Sequence, residues 1–291
     1  MALQKASYLN YLLQRLPPGL LVDSQWLQEQ GLSRSRIHDY VARGWLERLR
    51  PRVYRRPAAA ATAAERSSSV TWELAVVSAQ ALVDRPFHVG GPTALDLLGL
   101  SHFLDLGRKS RVWLYDARRK APSWLTKLPL EVEVLLKTRE LFRNDDLGLE
   151  WRRLELGTGR IGALVEQPER VELWDQFLRM SGAERASLEM LEEVGTKVGF
   201  HSADRLFQGL ANLRPNLLAE LLKECMSVKA KRLFFFFADR HAHAWAKRLD
   251  PDQFDLGRGK RQIAKGGRLH PKYEITVPAD LIPEGEEQDG G

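Results

Sequence analysis

The chain has 291 residues, 44% of them apolar, which is enough for ordinary cores and makes two domains the default. A single cysteine, Cys225, excludes an internal disulfide and a cysteine-built zinc site, and fits a reducing compartment. The net charge is +6, and residues 1–57 alone carry that excess, with ten Lys/Arg against four acids.

The opening MALQKASYLN lacks the long apolar core of a secretory signal. Leu233–Ala238, the longest apolar block near the end, is far too short to cross a bilayer, so the expectation is a cytoplasmic protein. Tyr8, Leu9, Leu12, Leu13 and Leu16 have helical spacing, and Pro17-Pro18-Gly19 stops that helix. Asp23 or Ser24 caps a second short helix carrying Trp26 and Leu27, and Gly31-Leu32-Ser33 turns the chain into a third. In the third helix Ser33 is the cap, and Ile37 and Val41 face a core. Ser35, Arg36, Asp39 and Arg43 lie opposite, with Arg34 and His38 flanking. Gly44 suits the left-handed residue after a helix. Arg48, Arg50 and Arg52 then alternate around a turn at Pro51, with Arg55 beyond.

A polar-faced helix followed by an arginine-tipped hairpin predicts a winged helix-turn-helix over residues 1–57. The helix would enter the major groove of duplex DNA and the wing would lie on phosphates. The expected DNA-binding residues are Ser33, Arg34, Ser35, Arg36, Asp39, Arg43, Arg48, Arg50, Arg52 and Arg55. A small solvated domain can carry several arginines without a partner, but here they cluster on one helix and one hairpin.

Residues 58–69, Ala/Ser-rich, read as a linker, flexible or helical. Residues 70–279 read as a larger mixed α/β, helix-rich domain, making the whole α+β. It opens with an apolar helix over Val70–Val83. In HVGGPTALDLLGL, Pro92 suits a first helical turn and Gly99 its end, and Gly90-Gly91 reads as a structural turn because phosphate-loop spacing does not follow. RVWLYD at 111–116, EVEVLL at 131–136 and Arg160–Val165 read as strands. From Pro168 to Arg248 the period becomes helical, through WDQFLRM, LEMLEEV, LFQGLANL, NLLAELLKE and KRLFFFFADR, with Phe234–Phe237 expected to be deeply buried rather than to fill a partner groove. Residues 280–291 read as an acidic disordered tail.

Catalytic chemistry finds little support. Glu131, Glu133 and Lys137 share a strand face, but three residues separate Glu133 from Lys137, where the nuclease pattern Glu-x-Lys needs one. Asp145, Asp146 and Glu150 read as solvated loop acids. His241 and His243 on one helix would diverge by about 200°. Cys225 and Ser101-His102 lack the third group a nucleophile needs. The expectation is a non-enzyme with no cofactor and no metal. One further cluster, Arg258, Lys260, Arg261, Lys265, Arg268 and Lys272, is interleaved with glycines and suits a phosphate-rich partner. The alternative is a solvated hairpin balanced by Asp250, Asp252 and Asp255.

Taken together, GWLERLRPRVYRR, the Trp72 helix leading into HVGGPTALDLLGLSHFL, and VKAKRLFFFFADR…LGRGKR…KGGRLHPKYEITVP resemble the AbiEi family of antitoxins from bacterial type IV toxin–antitoxin systems. Arg52 stands where related wings often carry Gly. The resemblance implies that the N-terminal domain binds inverted repeats in the promoter of its own operon as a repressor. It also implies that the C-terminal domain counters an AbiEii-type nucleotidyltransferase toxin, with the 258–272 cluster as the candidate antitoxin surface. The alternative is a stand-alone winged-helix regulator with a sensing or oligomerisation domain.

Overall fold

The computed structural model describes residues 2–57, 70–83, 86–100, 110–155, 158–168 and 171–282. The chain divides into two compact units, which interleave in sequence. The first comprises Met1–Val89, Leu106–Thr138 and Glu150–Met180; the second comprises Gly90–Asp105, Arg139–Leu149 and Ser181–Gly291. This differs from the expected division at residues 58–69, which lie outside the described residues, as does most of the expected acidic tail.

The winged part forms as its caps dictate. α1 (Ala2–Arg15) precedes a short strand β1 (Leu21–Asp23). Asp23 then caps α2 (Ser24–Glu29) by accepting from Trp26 N at 2.9 Å. Ser33 caps α3 (Arg34–Ala42) by accepting from Arg36 N at 3.3 Å, and Gly44, at φ 74°, ends it. The hairpin β2 (Glu47–Arg50) and β3 (Val53–Arg55) is joined by β1, giving the order β1-β3-β2.

The core explains why no boundary falls after the hairpin. Leu12, Leu16, Leu20, Leu27, Ile37, Tyr40 and Leu46 are buried together with Leu173, and Leu74, Ala81 and Leu82 pack against them. Three of those outside residues come from α4 (Trp72–Ala81) and its C-cap Leu82. Ser78 on α4 accepts a buried hydrogen bond from Leu21 N at 3.0 Å, so β1 is tied to the helix beyond the expected linker.

The first unit also holds a six-stranded sheet. β4 (His88–Val89) pairs antiparallel with β5 (Arg111–Tyr115) and parallel with β9 (Phe177–Ser181). β6 (Glu133–Lys137) runs parallel to β5, and β7 (Leu149–Glu155) pairs with β8 (Arg160–Val165), giving the order β6-β5-β4-β9-β7-β8. The helix expected for WDQFLRM is therefore a strand. Leu178, Arg179, Met180 and Ser181 are all buried, so β9 lacks the alternation that identifies half-exposed strands. The buried amide of Gln80 completes it, accepting from Arg179 N at 2.9 Å and donating to Arg179 O at 3.0 Å. Glu150 is likewise not a loop acid: it lies on β7, paired with Arg152 at 2.9 Å.

The second unit is helical, with α5 (Gly91–Leu97), α6 (Ala183–Glu192), α7 (Phe200–Gln208), α8 (Pro215–Glu224) and α9 (Val228–His241), followed by the hairpin β10 (Arg268–His270) and β11 (Ile275–Val277). Phe234–Phe237 are at most 2% exposed, and Phe207, Phe234, Phe237 and Trp245 form an aromatic cluster. The Gly90-Gly91 turn is structural, as expected. Gly91 N donates to Glu189 Oε2 at 2.9 Å, so a carboxylate of the chain itself lies where a phosphate loop would hold its anion.

Glu189 is fully buried and also accepts from Ser181 Oγ at 2.8 Å and from Arg185 Nε at 2.9 Å. Arg185 in turn donates to the carbonyls of Asp145 and Leu147. Glu189→Ala would leave that guanidinium without its counter-charge and should destabilise the chain by about 3–5 kcal/mol. Urea unfolding measures this; a loss under about 1 kcal/mol would mean that the network relaxes around the gap.

Candidate nucleic-acid interface

α2, α3 and the hairpin enclose a groove of about 830 Å³. α2 lines it with Gln25 and Gln28, α3 with Arg34, His38 and Val41, and the hairpin with Arg48, Arg52 and Tyr54. Arg34, His38, Arg48 and Arg52 are exposed, so four basic or titratable side chains face one concave surface above a partly apolar floor. Such a surface offers cations to phosphates and hydrogen-bonding groups to base edges.

The expected residues sort into distinct positions. Ser33 is spent on its cap and on Ser35, whose Oγ lies 3.1 Å away. Ser35, Asp39 and Arg43 are exposed but do not line the groove, and Arg43 lies over the Trp45 ring at 5.5 Å. Arg36 is half-buried over the ring of Tyr8 at 4.4 Å, which ties α3 to α1. Between Arg36 and Arg43 sits Tyr40; burial pushes its hydroxyl up from 10.0, and the two guanidiniums pull it down by less. Arg50 faces the other side of the wing, in a cleft of about 570 Å³ that includes Ser123 and Lys127.

Arg55 departs from the expected DNA-binding set. It is 8% exposed and its Nε donates to Glu47 at 2.7 Å, directly across the hairpin, so it fastens the wing and does not line the groove. The opposite charges four residues before and after Pro51 are the signal that could have found this pair. His38 and Gln28, in contrast, were not among the expected site residues. His38 is one helical turn after Arg34, so the same wheel that exposed one placed the other beside it.

Arg52 takes φ 67°, a left-handed conformation that glycine adopts without penalty. Its carbonyl accepts from Ser24 N at 2.9 Å, which pins the wing tip to the start of α2.

The residues considered for catalysis are dispersed or otherwise employed. Glu133 pairs with Arg111 at 3.1 Å, Lys137 lies 5.0 Å from the Trp113 ring, and Glu131 lies outside β6. His241 and His243 do not diverge as a continuous helix would require. α9 ends at His241, Ala242 takes φ 48°, and the two rings stack at 5.9 Å. His241 Nε2 lies 2.8 Å from Asp204, and His243 Nε2 lies 2.8 Å from Phe207 O. Burial pushes the Cys225 thiol up to about 11, which keeps it protonated and unreactive at neutral pH. Ser101-His102 lie outside the described residues. Among the described residues, no group of three or more His, Cys, Asp or Glu is placed to hold a metal ion.

Two family models cover nearly the whole chain. One, described as transcriptional regulator, AbiEi antitoxin N-terminal domain, matches residues 5–106. The other, described as transcriptional regulator, AbiEi antitoxin, type IV toxin–antitoxin system, matches residues 109–278. The chain belongs to the AbiEi family. The AbiEi N-terminal model runs through the winged part, α4 and α5, so it too passes over residues 58–69 without a boundary. No curated protein matches the sequence. The crystal structure of RV2827C protein from Mycobacterium tuberculosis is similar in fold, with a TM-score of 0.51 and 17% identity over 94% of this chain and 90% of that one. Among the described residues, no helix is long and apolar enough to cross a membrane.

The geometry of Arg52 makes a prediction about the wing. Arg52→Gly removes the left-handed penalty but adds unfolded-state entropy, so stability should stay level or rise by about 1 kcal/mol. Denaturant unfolding tests it; a loss above about 1 kcal/mol would mean that the arginine side chain itself holds the hairpin.

Proposed function

We propose that this AbiEi-family chain binds double-stranded DNA at inverted repeats in the promoter of its own operon, represses that operon, and counteracts a nucleotidyltransferase toxin in the cytoplasm without catalysing a reaction itself. The observation that carries DNA binding is the groove in which Arg34 and His38 of α3 face Arg48 and Arg52 of the wing. A helix face and a flanking basic hairpin on one concave surface suit the two tasks of a winged domain. The helix side chains reach base edges, and the wing cations neutralise phosphates. The excess charge of residues 1–57 supplies the non-specific attraction.

Within this reading the expected residues take different roles. Arg34 reads bases, with His38 beside it. Arg48 and Arg52 hold phosphates, Arg50 stands on the far side of the wing with Lys127, and Arg36 orients α3 through Tyr8. Ser33, Ser35, Asp39 and Arg43 stand at the rim. Arg55 is left out because of its pairing with Glu47. The antitoxin role rests on the family, which is described as an antitoxin of a type IV system.

Binding to the promoter fragment and to a scrambled duplex, measured over a salt series, tests the reading. Replacing Arg48 and Arg52 should each lower the salt slope by about one unit with little change in sequence preference. Arg34→Ala should cost about 1–3 kcal/mol on the promoter and less on the scrambled duplex. Slopes equal to wild type in both wing variants would remove the groove from the interface.

A further inference from the structure

The hairpin of the wing is not a regular ribbon. Glu47 and Arg48 of β2 pair with Arg55 and Tyr54 of β3, but the next pair is Arg50 with Val53, so the register skips Leu49. In a regular strand Arg48 and Arg50, two residues apart, would point to one face. The extra residue re-aims the second of them. Arg48 lines the groove with α3, and Arg50 lines the cleft of about 570 Å³ on the other side of the hairpin. Arg52, at the tip, borders both.

The other wall of that cleft comes from the segment between β5 and β6, and this segment is tied down. The carboxylate of Asp116, 3% exposed, accepts from Lys120 N at 2.7 Å and Ala121 N at 2.9 Å, which turns the chain after β5. Trp124 Nε1 donates to Asp23 Oδ2 at 3.3 Å, and Asp23 Oδ1 is taken by the cap of α2. Leu125, fully buried, opens a single 3-10 turn that ends at Lys127. Lys127 therefore reaches the cleft from a turn anchored at its start.

Three cations, Arg50, Arg52 and Lys127, line the cleft against one carboxylate, Asp23, whose two oxygens both accept hydrogen bonds from the chain. Arg50 and Lys127 are exposed, and neither has a hydrogen-bond or ion-pair partner among the described residues. Cations held on fixed backbone and not neutralised by the chain suit a row of phosphates, whose counterions they displace.

We propose that Arg50 and Lys127 form a second phosphate-binding surface for duplex DNA, on the side of the wing away from α3. The wing is then a ridge with cations on both flanks. Arg48 faces inward, Arg50 and Lys127 face outward, and Arg52 stands at the crest. A duplex seated in the groove continues past the wing, and its next phosphates fall on the outer flank. Such contacts add affinity and fix register without reading bases. Lys127 lies outside residues 1–57, so the contact with DNA extends beyond the winged domain that the sequence marks out. The proposal rests on the DNA-binding reading above.

The test uses the full chain and a duplex carrying its own promoter, with a salt series and phosphate-ethylation interference as readouts. Arg50→Ala with Lys127→Ala should lower the salt slope by about two units and leave the preference for promoter over scrambled duplex unchanged. Interference should vanish at the phosphates farthest from the bases read by Arg34 and persist at the nearer ones. Arg50→Lys with Lys127→Arg keeps both charges and should bind with the wild-type slope. Thermal melts of both double variants should match wild type. A wild-type slope and interference pattern in the alanine variant overturn the proposal, and the groove reading then stands if the Arg48 and Arg52 variants still lower the slope. A lowered slope that the charge-conserving variant shares also overturns it, because the effect would belong to the shape of the hairpin. If the wild-type chain binds neither duplex, the DNA-binding reading fails and takes this surface with it.

Discussion

The constraint on which the rest depends is the closed core beneath the winged fold. Leu12, Leu16, Leu20 and Leu27 cannot leave water by packing on one another alone; Leu173 enters their cluster, and Leu74, Ala81 and Leu82 cover it. Three short helices and a three-stranded sheet in 57 residues bury little surface by themselves. Borrowing a helix face from α4 supplies the missing apolar cover. The buried bond from Leu21 N to Ser78 fixes the orientation of that helix against β1. Arg56 adds to this from inside the winged part, donating to the carbonyls of Leu13 and Leu16 and so closing the end of α1 against β3.

A fixed platform matters for a surface built from long cationic side chains. Of the arginines in the winged part, several are withdrawn from any external partner. Arg55 pairs with Glu47, Arg56 caps α1, and Arg36 lies over Tyr8. Those remaining around the groove, Arg34, Arg48 and Arg52, owe their positions to a cap at Ser33, a hairpin register and a left-handed residue held by Ser24 N. The division between structural and exposed arginines is what converts a region of net charge +6 into a surface with a shape. The same division recurs in the second unit, where Arg232 is buried and donates to the carbonyls of Leu256 and Gly259, and Arg258, Lys260, Arg261 and Lys265 are exposed.

Much of this was legible in the sequence where a local rule decides the outcome. Ser33, Gly44 and the turn at Pro51 mark α3 and the hairpin through capping and turn chemistry that act within a few residues. Phe234–Phe237 announced deep burial by covering a helix on most sides. What escaped was set by distant partners. β1 is three residues long and has no period; it exists because β3 lies alongside. β9 read as helix because it is buried on both faces and its neighbours β4 and β7 come from far along the chain. The site followed the same rule. The wheel exposed Arg34 and His38 as flanking residues, but only the position of the wing shows that their side of α3, and not that of Ser35 and Asp39, lines the groove.

The most direct test of the central claim is amide hydrogen exchange of the full chain with and without a duplex carrying its own promoter. The groove reading predicts slowed exchange on DNA binding in α3 and in the hairpin through Arg52, with α6 and α9 of the second unit unchanged. Protection confined to α6, α9 or the 257–268 loop, with α3 and the wing exchanging as in the unbound chain, would contradict it.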